Sequence, residues 1–135
     1  MRIVRLPGIH HDANATLLIG EESALLVDSG TAWYQLLQEE RIRGQLGDTI
    51  SLRKIILTSR RYPFSGGSKA LSESFGIPVF IHEAGQMSLE SGDFFTTWAN
   101  RYDSDMPVVS TEPIDFSDPL QLDDSIIEIP CCFII

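Results

Sequence analysis

Ile55-Ile56-Leu57-Thr58-Ser59-Arg60-Arg61-Tyr62-Pro63-Phe64-Ser65-Gly66-Gly67 is the stretch from which the fold can be read. An apolar run, Lys54 to Leu57, stops at a polar turn that carries two arginines and a proline. The turn leads through Ser65-Gly66-Gly67 into a segment of helix-forming composition, Ser68 to Phe75. Strand, loop and helix in that order is how α/β proteins present their sites. Ser65 stands where an N-cap belongs, and Gly76 where a left-handed C-terminal residue belongs.

Upstream, Arg2 to Leu6 alternates charged and apolar residues, as a half-buried strand does, and Pro7-Gly8 ends it. Ala15 to Ile19 and Ala24 to Asp28 are apolar runs joined by Gly20-Glu21-Glu22-Ser23, which fits a hairpin. Both runs are apolar on both faces, so the sheet they enter is expected to be covered on both sides. From Ala32 to about Gln45 the composition predicts a helix, with Thr31 as N-cap. Trp33, Leu36, Leu37 and Ile42 are expected toward the core, and Glu39, Glu40, Arg41 and Arg43 outward.

Downstream, Pro78 to His82 reads as another buried strand. The alternation from Ala24 to His82 predicts an α/β layer arrangement with right-handed crossovers. Glu83 to Ser91 fits a short helix, and Phe94, Phe95, Trp98 and Tyr102 fall near helical spacing, as one apolar stripe would.

Taken together, Asn14-Ala15-Thr16-Leu17-Leu18-Ile19, Ala24-Leu25-Leu26-Val27-Asp28-Ser29-Gly30, the turn after Leu57 and Pro78-Val79-Phe80-Ile81-His82 resemble the first half of the metallo-β-lactamase superfamily. The signature of that family is a strand, then T-H-x-H-x-D-H-x-G-G, then a helix. The resemblance covers most of the chain and implies an α/β half sandwich, a mixed sheet with helices packed on it. It also implies that residues 1–135 form a single domain, cut short at the C-terminus relative to the family. Asp115 to Asp124 matches the stretch leading into a later family strand, and Ser125 to Ile129 that strand. Where the family continues with P-G-H-T, this chain has Pro130 and then Cys131-Cys132.

The metal-binding positions depart from the family pattern. Ser59 and Arg61 stand at the first two histidine positions, Pro63 at the aspartate and Phe64 at the last histidine. Serine is a poor zinc ligand, proline and phenylalanine have no side-chain donor atom, and a guanidinium stays protonated and repels a dication. Asp28, Gly30 and Thr58 match the motif's framing positions, so a structural role is expected for them. Asp28 would accept backbone N–H bonds or pair with Arg60 or Arg61.

The replacements suggest a different site. Ser65, Gly66 and Gly67 at a helix N-terminus offer backbone N–H groups, and Arg60 and Arg61 share the loop, so a phosphate or carboxylate could sit there. The plainer reading is that the arginines pair with Asp28 or point to water. His10-His11-Asp12 reads as a polar turn between strands, or as ligands for a relocated metal. Cys131-Cys132 lacks any neighbouring base or cation, which favours inert apolar thiols over a reactive pair.

Composition bounds what remains. A chain of 135 residues with 43% hydrophobic and 21% charged residues is ordinary for a globular domain. The net charge of -9 is uneven: eleven acids face nine Lys and Arg up to residue 100, and eight acids follow with Arg101 as the only base. That balance argues against nucleic acid as a partner. Asp123-Asp124 lacks the spacing of a calcium loop. Two adjacent cysteines, no signal-like N-terminus and no long apolar run lead to the expectation of a cytoplasmic protein without a membrane segment.

The function expected from the sequence is therefore a non-catalytic binding or interaction module without a cofactor. The alternative is a zinc hydrolase that uses His10, His11, Asp12 and His82, or a partner chain. The apolar C-terminal strand, Ile126 to Ile135, is expected to drive self-association, as a homodimer.

Overall fold

Alternating side chains on consecutive strands decide which elements cover each face of the sheet. The computed structural model describes residues 1–117, 120–123 and 125–128. Strand β1 (Arg2–Leu6) pairs antiparallel with β2 (Ala15–Ile19), and β2 with β3 (Ser23–Val27), the hairpin closing through the Gly20 amide on the Ser23 carbonyl at 2.8 Å. A short 3-10 turn (Ala32–Tyr34) and helix α1 (Gln35–Leu46) cross to β4 (Ser51–Ile56), which is parallel to β3.

Helices α2 (Tyr62–Ser65) and α3 (Ser68–Phe75) lead to β5 (Val79–Ile81), parallel to β4. Helix α4 (Glu83–Glu90) and a second 3-10 turn (Ala99–Tyr102) lead to β6 (Thr111–Pro113), parallel to β5. The sheet order is β1-β2-β3-β4-β5-β6, and a separate antiparallel hairpin joins β7 (Leu120–Leu122) and β8 (Ser125–Ile127). No helix among the described residues is long and apolar enough to cross a membrane.

The period of two splits the core. Ala15, Leu17 and Ile19 of β2, with Ala24 and Leu26 of β3, face the helices and pack with Ile42, Leu46, Ile55, Leu71, Val79, Ile81 and Leu89. Leu25, Ile56 and Leu122 form a second cluster on the opposite face, with Leu18, Phe80, Ile114, Leu120 and Ile127 against it. The expectation of cover on both sides holds where β7 and β8 lie. Asp123 fastens that hairpin: its carboxylate accepts from the Ser23 hydroxyl at 2.9 Å and from the Glu22 amide at 3.1 Å.

Three expectations need correction. The face of α1 that is buried carries Gln38, Ile42 and Leu46, whereas Trp33, Leu36 and Leu37 are exposed. Gln38 can be buried because its amide donates to the Ser29 carbonyl at 3.3 Å, while its oxygen accepts from Arg41. Thr31 does not cap with its side chain: its hydroxyl and amide both donate to Asp12, at 2.5 and 3.0 Å.

The aromatic stripe does not form either. Residues 94–97 form turns, Phe94 and Phe95 are exposed against each other, and the guanidinium groups of Arg61 and Arg101 lie over the Trp98 ring. Of the expected C-terminal strand Ser125–Ile127 forms, and residues 129–135, Cys131-Cys132 among them, fall outside the described residues.

Candidate functional site

The turn after β4 is held from below by Asp28. Its carboxylate accepts from the Thr58 amide at 2.8 Å and from the Thr58 hydroxyl at 2.7 Å, and its own backbone is left-handed, φ 65°. Burial pushes the Asp28 pKa up to about 6, against the two Thr58 hydrogen bonds, which lower it. The sequence allowed either backbone hydrogen bonds or a pair with Arg60 or Arg61; the first is what forms. Among the described residues the one ion pair is Arg43 with Glu39.

Gly30 follows at φ 79°, a conformation suited to glycine. Gly67 packs onto this same segment, where a Cβ would meet the Thr31 carbonyl oxygen at 2.9 Å and those of Gly30 and Ser29 at 3.3 Å. Close backbone approach, rather than flexibility, is what requires a glycine there.

The backbone groups that could have cradled an anion are engaged within the chain. The Gly66 amide donates to the Tyr62 carbonyl at 2.9 Å, and the Gly67 amide to the Gly30 carbonyl at 2.8 Å. The Ser65 hydroxyl, fully buried, donates to the Arg60 and Arg61 carbonyls. Ser65 lies inside α2 and is not the cap of α3; Gly67 holds that place, and Gly76 ends the helix left-handed as expected. What the turn leaves open to a ligand is therefore the side chains of Arg60 and Arg61.

Those side chains meet a segment that carried no site signal in the sequence. The Arg61 guanidinium donates to the Thr96 carbonyl at 2.7 Å and lies over the Trp98 ring, 3.7 Å from its centroid. Arg101 lies 4.4 Å from the same centroid. Burial, then the charges of Arg60 and Arg101, hold the Arg61 pKa below its usual value. The Tyr62 amide donates to the carbonyl of buried Thr97 at 2.7 Å, which locks the turn to this segment. A sequence reading had one clue here, Arg101 as the lone base in an acidic tail.

The relocated zinc site does not fit. His10 and His11 pack edge to face at 4.0 Å and run on into Trp33 and Tyr102, while Asp12 is occupied by Thr31. His82 accepts from the Ala84 amide at 3.0 Å as the cap of α4, with Phe116 beside it. Among the described residues no three His, Cys, Asp or Glu side chains lie where they could hold one metal ion. At the motif positions, the backbone carbonyls of Phe64 and Pro63 accept from the amides of Ser29 and Ala13, and Ser59 accepts from the Arg61 amide.

No family sequence model matches the chain, and neither does any curated protein sequence. Solved structures do match. The metallo-β-lactamase SMB-1 in complex with mercaptoacetic acid superposes with a TM-score of 0.70 at 20% identity, over 91% of this chain and 46% of that one. MIM-1 from Novosphingobium pentaromativorans gives 0.66 at 18% identity, over 84% and 42%. BJP-1, a subclass B3 enzyme of Bradyrhizobium japonicum, gives 0.68 at 16% identity, over 84% and 43%. This chain thus spans less than half the length of each of these metallo-β-lactamases. Its strand order, its turn on Thr58 and these superpositions together give it the metallo-β-lactamase fold.

Proposed function

We propose that this chain is a degenerate, non-catalytic protein on the metallo-β-lactamase fold, a binding or interaction module whose ligand is a small anion. The observation that carries the reading is the makeup of the turn after β4. Its four ligand positions hold Ser59, Arg61, Pro63 and Phe64, and a fixed guanidinium lies within the turn. Zinc chemistry needs imidazole or carboxylate ligands with an open position for water. This turn supplies none of them, and no other group of described side chains replaces them.

An anion at residues 59–68 would be held by Arg60 and Arg61, since Ser65, Gly66 and Gly67 spend their donors on the protein. The reading extends to self-association through β8, whose outer edge is unpaired among the described residues. Purified full-length protein, loaded with excess Zn2+ and desalted, is expected to carry no stoichiometric zinc in elemental analysis. Retention of a full equivalent of zinc or iron would overturn the proposal.

A further inference from the structure

We propose that Arg61, Arg101 and Trp98 form the binding site for a small oxyanion, a phosphate monoester or a carboxylate, with Arg60 adding charge. The inference rests on reading the turn after β4 as a binding element, and it moves the ligand from the backbone of that turn to the segment packed against it. Two guanidinium carbons lie within 4.4 Å of one indole centroid, at 3.7 Å for Arg61. Each gains from the ring face, but the two like charges repel. No carboxylate lies within ion-pair distance of Arg60, Arg61 or Arg101 among the described residues. Asp93, the acid whose field Arg60 feels, has its Oδ1 accepting from the Phe95 and Thr96 amides at 2.9 and 3.2 Å.

The cluster is built rather than adventitious. The Thr96 carbonyl fixes Arg61, and buried Thr97 accepts from the Tyr62 amide and donates its hydroxyl to the Asp93 carbonyl at 2.6 Å. The turn that carries Arg101 is bracketed by two left-handed non-glycine residues, Trp98 at φ 65° and Asp103 at φ 51°. Such strain persists only where the surroundings enforce it, and it gathers at ligand sites.

Among the described residues Arg61 gives one of its five N–H donors to the protein, and Arg60 and Arg101 give none. Those donors in a planar fork match the two oxygens of a carboxylate or phosphate. The ligand is small because a chain of net charge -9 repels an extended polyanion.

The test uses the full chain carrying Trp33→Phe, which leaves Trp98 as the sole indole, since the sequence has 2 tryptophans. Inorganic phosphate and succinate are titrated separately, with chloride holding ionic strength constant. A saturable change in Trp98 emission with a midpoint of about 1 mM is expected. Response to phosphate alone assigns a phosphate monoester, and response to succinate alone a carboxylate.

Arg101 is exposed, so Arg101→Gln keeps the fold, checked by an unchanged circular dichroism spectrum, and is expected to weaken binding about tenfold. Arg101→Lys, which keeps charge but not the fork, should fall between. No saturable change up to about 50 mM of either anion overturns the site. A response that Arg101→Gln leaves undiminished also overturns it, while the non-catalytic reading stands. Bound zinc would overturn that reading without altering the titration.

Discussion

Asp28 sits at 6% exposure with both carboxylate oxygens on Thr58, and burial still raises its pKa to about 6 from 3.8. Between those values the folded chain keeps a proton that the unfolded chain has released. The stability this group contributes is therefore complete below the unfolded value and is lost as pH rises through about 6. The loss is on the order of 3 kcal/mol.

Asp28→Asn removes the buried charge, suits a left-handed residue and can still bond Thr58. It is expected to exceed the parent by about 1–3 kcal/mol at about pH 8 and to match it near pH 4, in urea unfolding at both. A variant weaker than the parent at both pH values contradicts this. The backbone role of Asp28 was legible because an aspartate closing an apolar run faces free amides in the next turn. That Arg61 turns from it to Thr96 and Trp98 was not, because those partners are 35 and 37 positions away on a segment whose aromatic spacing pointed to an apolar helical stripe instead.

At the scale of the elements, strands were the legible part. Ala15–Ile19, Ser23–Val27 and Val79–Ile81 are short apolar runs bounded by glycine, proline or charge, and they form where those runs are. Strand β6, Thr111–Pro113, was missed: its three residues carry a glutamate and a proline, and the neighbouring β5 recruits them. Helix α1 was found, but its buried face was misassigned. A glutamine at 3% exposure and a leucine at 75% invert what hydropathy alone would assign, because the Ser29 carbonyl and Arg41 satisfy Gln38.

The two faces of α1 give a direct test. Ile42→Ala is expected to cost about 2–5 kcal/mol and Leu36→Gln to stay within about 0.5 kcal/mol, by chemical denaturation. Comparable losses in the two variants would mean the buried face is drawn wrongly.

For the molecule as a whole, the hairpin of β7 and β8 covers the centre of one sheet face, with Leu122 fully inside and Ile126 at 69% exposure. Among the described residues this two-stranded sheet has a free edge on each side. Sedimentation at tens of micromolar is expected to show a dimer that Ile126→Lys dissociates; a monomeric parent chain rules the association out.

The strand order has one more consequence. Each strand from β2 to β6 lies beside the one made just before it, so a chain emerging from the ribosome can add every new strand to an edge that already exists. The sheet can thus assemble in the direction of synthesis, each step closing only the crossover that has just been made. The Asp123 clasp on Glu22 and Ser23 is the contact that must wait, joining the β7–β8 hairpin to that of β2 and β3.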